Sequence, residues 1–172
     1  MLAALSVILA RLIIPMPAAD VRYSIEAVPM VIAGILFGPL AGGLVGFTAD
    51  AVGCLFSGYG WMPLFSIPPI LYGAVPGLLC MLIRNEEKPK FWKILIMVAI
   101  PAIFGSILWQ SFPLSLYYGV QSGKGYWVYV VTRIPQFAIT APVDAAIVWL
   151  LFKTGMFRQM NLWPKSGGKN IK

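Results

Sequence analysis

The sequence predicts an all-α integral membrane protein, and three observations carry that prediction. Of 172 residues, 59% are hydrophobic and only 11% are charged, whereas soluble domains carry about a quarter charged residues. Mean hydropathy is +0.82. That is more apolar surface than one small core can hide, since a soluble chain of this size leaves roughly 30% of its unfolded surface exposed after folding. Finally, the apolar residues come in runs bounded by charge and turn signals, as spanning helices do.

Those runs predict six transmembrane segments: Leu2 to Ile14, Glu26 to Phe37, Leu40 to Phe56, Ser66 to Ile83, Phe91 to Tyr118 and Gly125 to Phe152. The first is short for a hydrocarbon core ~30 Å thick. It reads as a helix rather than a signal peptide, because a charged leader is missing. At "FGPL" (37–40), Gly38 permits an unusual backbone angle and Pro39 lacks the N–H that would continue a helix, so segments two and three form a hairpin. Residues 15–24 and 57–65 read as loops on one side.

Lysine and arginine set the orientation. Arg84, Lys88, Lys90 and Lys93 gather with Lys153, Arg158, Lys165, Lys169 and Lys172 at one edge, against Arg22 and Lys124 at the other. The positive-inside rule then makes both termini cytoplasmic, with a transmembrane domain over 1–153 and a basic tail over 154–172 near anionic lipid. The net charge of +7 is thus a membrane-edge charge, and no nucleic-acid partner is expected. The chain has no His, which excludes classical zinc sites and His-based general base catalysis. Cys54 and Cys80 sit in apolar runs and read as packing residues.

Polar residues inside these segments need a reason. In segment six, Tyr126, Tyr129, Arg133, Gln136, Thr140 and Asp144 recur at helical spacing and share one face. A charge at the bilayer centre costs ~2.5 kcal/mol or more, so the stripe faces the bundle interior, either as a ligand site or as a structural Arg–Asp network. Arg133 lies roughly 12 Å from the outer start of the segment and Asp144 about 16 Å further in, too far for direct pairing. Pro135 and Pro142 each free a backbone carbonyl one turn earlier. Segment five offers Ser106, Trp109 or Gln110, Pro113 and Tyr117 at helical spacing. Gln110, which both donates and accepts, suits the edge of a heterocycle. In segment three, Gly43, Gly46, Asp50, Gly53 and Ser57 form a small-residue stripe suited to close helix packing. Asp50 lies at a depth to meet Arg133 or Arg11, as an ion pair, or to contact a ligand.

Taken together, "LAALSVILARLIIP", "EAVPMVIAGILFGPLAGGLVGFTADAVG", "PILYGAVPGLL" and "YWVYVVTRIPQ" resemble the substrate-capture (S) component of energy-coupling-factor (ECF) vitamin transporters, of the folate-binding type, over nearly the whole chain. The resemblance implies a six-helix, non-enzymatic protein of the prokaryotic plasma membrane. It would capture a vitamin from outside and deliver it through a transmembrane coupling subunit carrying two cytosolic ATPases, with no cofactor of its own. The chain has no phosphate-loop signature, in keeping with ATP hydrolysis by partners. The family docks through small residues on helix one. Here Ala3 and Ala4 open the run, and Ser6 and Ala10 stand where the family has an Ala-xxx-Ala pair.

For folate, the resemblance implies that Gln110, Gln136 or Asp50 read the pterin edge and that Trp61, Trp109, Tyr117 and Tyr126 supply aromatic surface. Arg133 and Arg22 would meet carboxylates or a ring carbonyl, with Arg22 on a loop over the mouth. Asp144 is expected too deep for this pocket, in a packing or coupling role. Three alternatives stand beside this: an S component for thiamin, riboflavin or pantothenate; a small membrane enzyme acting on lipid headgroups with Asp50 or Asp144 as metal ligands; and a purely structural subunit.

Overall fold

Gly38 and Pro39 set one helix boundary, whereas Pro76, Pro113, Pro135 and Pro142 are carried inside helices. A computed structural model describes residues 2–11, 14–15, 22–23, 25–57, 62–83, 90–117, 119 and 125–154, with backbone only at 10–11, 14–15, 22–23, 56–57 and 81–83. In chain order the elements are α1 (Leu2–Arg11), strands β1 (Ile14–Pro15) and β2 (Arg22–Tyr23), α2 (Ala27–Phe37), α3 (Pro39–Ser57) and a 3-10 turn (Pro63–Phe65). There follow α4 (Ile67–Ile83), α5 (Phe91–Pro101), a π-helical stretch (Ala102–Trp109), α6 (Gln110–Tyr117) and α7 (Tyr126–Lys153). Among the described residues, three stretches are long and apolar enough to cross a membrane, Pro63–Cys80, Phe91–Tyr117 and Tyr126–Lys153. Helices α2 and α3 are shorter but apolar.

The helical expectation holds with two local departures. First, part of the expected loop at 15–24 is extended: β1 and β2 pair antiparallel, Ile14 with Tyr23 and Pro15 with Arg22. Branched and aromatic side chains favour that backbone, and a strand with Pro at its end cannot grow far. Second, the fifth segment is not one regular helix. After Pro101 the backbone widens into a π-helix for eight residues before α6 resumes. Such stretches arise where prolines break the regular hydrogen-bond ladder, and they often mark functional sites.

The hairpin between α2 and α3 forms as expected. Gly38 takes φ 94°, the left-handed side that a Cβ would penalise. Its N–H donates to the Gly34 carbonyl at 3.0 Å, and its own carbonyl accepts from the Gly42 N–H at 3.0 Å, so both helix ends are satisfied.

Helix α4 packs along both arms of this hairpin. The approach is backbone to backbone: a Cβ on Gly42 or Gly73 would overlap the main chain of the other, and a Cβ on Gly46 would overlap that of Pro69. Of the expected stripe, Gly43 and Gly46 face α4, and Gly42 joins them. Gly42, Gly46 and Ala49 are buried at the seam, whereas Gly53 has no atom within 4 Å of its would-be Cβ. On the other side of α2, Val31, Val98, Ala145 and Val148 are fully shielded, joining α2, α5 and α7 in one core.

Helix α5 and the C-terminal end of α7 lie side by side, with the Phe91 and Trp149 rings edge to face at 6.0 Å. This brings Lys90, Lys93 and Lys153 to one end of the molecule, where the Lys153 ammonium lies 5.0 Å from the Trp149 ring centre. Trp92 and Trp127, both largely exposed, mark opposite ends of the long helices, as residues of an interfacial belt do. Large apolar side chains such as Ile8, Leu40, Leu44, Leu55 and Phe104 cover the outside, the surface lipid would wet.

Substituting Gly73→Ala should lower thermal stability in detergent, with a cost of ~1–3 kcal/mol from overpacking. Gly53→Ala, facing open space, should leave the melting temperature unchanged or raise it. Equal effects at the two positions would show that the seam is not tight.

Candidate functional site

Between α2, α3, α4, the π-helical stretch, α6 and α7 lies a cavity of about 480 Å³, within the 300–1,000 Å³ range usual for small-molecule sites. Four members of the segment-six stripe line it, Arg133, Gln136, Thr140 and Asp144, one above another on α7. Helices α2 and α3 contribute Glu26, Ala27, Met30 and Asp50; α4 contributes Pro68, Pro69 and Tyr72; Ser106, Gln110 and Leu114 come from the rod opposite. Phe65 and Phe137 add aromatic surface.

The π-helical stretch explains how a guanidinium is held here. One Arg133 terminal nitrogen donates to the Ser106 carbonyl at 3.0 Å and to Gln110 Oε1 at 3.1 Å. Among the described residues no carboxylate pairs with it and its other donors have no partner. Guanidinium nitrogens only donate, so the Gln110 amide must turn its oxygen to Arg133 and keep its NH2 for something else. The Ser106 hydroxyl donates to the Tyr72 hydroxyl at 3.4 Å, tying the rod to α4.

Asp50 does not pair with Arg133. Its carboxylate instead accepts a hydrogen bond from the Ser66 hydroxyl at the start of α4, and it lines the cavity. The Arg11 side chain lies outside the described residues, so the other expected partner is not described.

The aromatic residues fall elsewhere. The Tyr126 hydroxyl donates to the Leu108 carbonyl at 3.1 Å. The Trp109 indole N–H donates to the Leu64 carbonyl at 3.1 Å, and Tyr117 packs its ring 6.3 Å from that of Phe65. None of the three is among the cavity's lining residues. They brace the rod against α7 and the 3-10 turn. Trp61 lies outside the described residues, as does the Arg22 side chain; the Arg22 backbone is in β2.

Asp144 requires a correction of another kind: instead of lying below the pocket, it lines it. Depth along the α7 axis misled, because the cavity reaches further down the bundle than a pocket confined to the outer third. Glu26 and Tyr72 were also missed as lining residues. Glu26 reads in sequence as the start of a helix and Tyr72 as one polar atom in an apolar run. Only the seam that draws α4 against α2 and α3 brings Tyr72 to this space.

Of the small residues expected to dock a partner, Ala4 is exposed and Ala3 half-buried on α1. Ser6 is turned into the bundle, 1% exposed, with its hydroxyl donating to the Glu26 carbonyl at 2.7 Å. That contact removes Ser6 from any outward face. The Ala10 side chain lies outside the described residues.

A lipid-embedded helical bundle around a polar, lined cavity defines a membrane protein that binds a small solute. The chain belongs to the family of ECF transporter substrate-specific components, whose sequence model matches residues 1–152. It is therefore a transport component and not an enzyme. Among curated relatives, it is 24% identical to the folate transporter FolT of Clostridium novyi (strain NT) over 134 residues, 77% of this chain and 73% of the relative. Among solved structures, a crystal structure of FolT bound with folic acid superposes with a TM-score of 0.72 at 23% identity, covering 88% of this chain and 87% of that one. ThiT from Listeria monocytogenes superposes with a TM-score of 0.72 at 19% identity, covering 94% and 92%.

Gln110→Leu should destabilise the ligand-free protein by ~1–3 kcal/mol, the cost of leaving a buried polar partner unsatisfied. Gln110→Glu should keep or raise stability by pairing with Arg133. Thermal unfolding of the two variants in one detergent checks the difference.

Proposed function

We propose that this S component captures folate at the cavity and passes it through a transmembrane coupling subunit energised by two cytosolic ATPases. The observation that carries the assignment is Arg133, held in place by Ser106 and Gln110 yet without a carboxylate partner among the described residues. A half-buried guanidinium fork so held is ready for a planar acceptor such as a ring carbonyl or carboxylate. Gln110, Gln136 and Asp50 stand along the same wall system to meet the heterocycle edge, and Phe65 and Phe137 supply ring surface. The Clostridium relative's name points the same way.

A specific feature keeps thiamin as the second reading. The lining holds three carboxyl groups, Glu26, Asp50 and Asp144, against one guanidinium, a balance that also suits a cation. Resemblance to ThiT is at the level of fold.

In the membrane, we read α1, α2, α3, α4, the rod 91–117 and α7 as six crossings of a prokaryotic plasma membrane with both termini cytoplasmic. Support comes from Lys90, Lys93 and Lys153 sharing one end and from the positive-inside rule. Arg22 is proposed to guard the outer mouth, since β2 leads directly into Glu26 at the cavity. The basic tail over 154–172 would then lie against anionic lipid. For the coupling subunit we propose the outer face of α1, where Ala4 is exposed together with Leu5 and Ile8.

Two measurements test this. Titrating the purified chain with a vitamin panel should give folate the highest affinity, with Arg133→Ala weakening it about 100-fold and Arg133→Lys less. An unchanged affinity in Arg133→Ala would remove Arg133 from the site, and thiamin as the tightest ligand would replace folate. Separately, Ala4→Trp should abolish ATP-driven uptake in the assembled transporter while folate binding by the isolated chain stays within about twofold of wild type. Loss of both would mean misfolding rather than failed docking.

A further inference from the structure

Asp144 lines the cavity and is 5% exposed. Among the described residues it makes no hydrogen bond and no ion pair. Glu26, also on the lining, sets a second negative charge against it. Ser106 donates to the Tyr72 hydroxyl, which keeps its own proton, and among the described residues no hydrogen bond joins Tyr72 to Asp144. A carboxyl group shielded from water in this way is costly unless something supplies donors. Packing does not account for it, since a packing carboxyl would be bonded to its neighbours. A metal does not either: among the described residues no three acidic, Cys or His side chains gather to hold one.

The ligand is the remaining source of donors. Arg133 and Asp144 stand on one face of α7, separated by about 16 Å of helix axis, and both border the same cavity. One end of the space therefore offers the guanidinium and the Gln110 NH2 as donors, and the other offers the Asp144 carboxyl as an acceptor. Resting on the cavity being the vitamin site, we propose that Asp144 is a specificity-determining residue that accepts a paired N–H edge of the ligand, an amino group beside a ring N–H as in a 2-aminopyrimidinone. The heterocycle then lies with its amino edge toward Asp144, and its acceptor side or carboxylate tail toward Arg133. Two parallel N–H to carboxylate bonds give this end geometric selectivity as well as strength. A site built to take such an edge rejects an analogue lacking it strongly, because the carboxylate is then left buried and unpaired.

The test uses the full chain in detergent, titrated with folic acid and with the analogue in which a methyl replaces the 2-amino group. Wild type is expected to prefer folic acid by 30-fold or more. Asp144→Asn, which presents a donor where an acceptor stood, should lose about 100-fold for folic acid and only a few-fold for the analogue, so that the preference collapses. Equal binding of the two ligands by wild type overturns the proposal, and that arm needs no variant to fold. So does an Asp144→Asn protein that keeps the preference, or one that loses both ligands equally. Should another vitamin of the panel bind more tightly than folate, the folate assignment fails on its own. The same variant titrated with that vitamin still decides, an unchanged affinity ruling Asp144 out.

Discussion

A guanidinium inside a lipid-embedded bundle, answered by a backbone carbonyl and an amide but by no described carboxylate, is the constraint on which the site depends. Placing that charge near the bilayer centre costs ~2.5 kcal/mol or more, and the surroundings are arranged to meet it in part. The π-helical widening at Ala102–Trp109 directs the Ser106 carbonyl to Arg133, and α6 resumes just in time to present Gln110. Tyr126 reaches across from α7 to the Leu108 carbonyl and ties the two elements that carry the polar wall. What is left unmet on Arg133 is what a ligand can use.

The opposite wall is rigid for a different reason. Glycines on α3 and α4 let the two backbones touch, so α4 cannot slide without overlap. That fixes Pro68, Pro69 and Tyr72 as one side of the cavity, while Ser66 at the head of α4 holds Asp50. The site thus sits between a close-packed three-helix block and a rod held by polar bonds. Such an asymmetry suits a binding protein: the packed wall preorganises the space, and the polar wall recognises what enters.

Much of this was legible in the sequence. Helical periodicity placed Arg133, Gln136, Thr140 and Asp144 on one inward face, and the pairing of Gln110 with that face followed from where its segment must run. The Gly38–Pro39 hairpin needed only the known backbone habits of those two residues. What escaped was information that lives between elements. The glycine seam takes in Gly42 as well as Gly43, because the crossing of α3 and α4 brings both adjacent glycines against the neighbour. Tyr126 and Trp109 read as ring donors, but their polar atoms are claimed by the Leu108 and Leu64 carbonyls, contacts that only the packing of the elements sets. Asp144 was placed by axial depth alone, and a cavity's floor is set by the neighbours that do not fill it. Ser6 looked like a small outward residue until the Glu26 carbonyl behind it was seen.

The proposed partner of the unmet Arg133 donors is the vitamin. Native mass spectrometry of the wild-type chain, purified in mild detergent from folate-replete cells, tests this most directly. A one-to-one adduct with the mass of a folate is expected, absent when Arg133→Ala is purified in the same way. An adduct of unrelated mass, or a folate adduct equally abundant on Arg133→Ala, would contradict it.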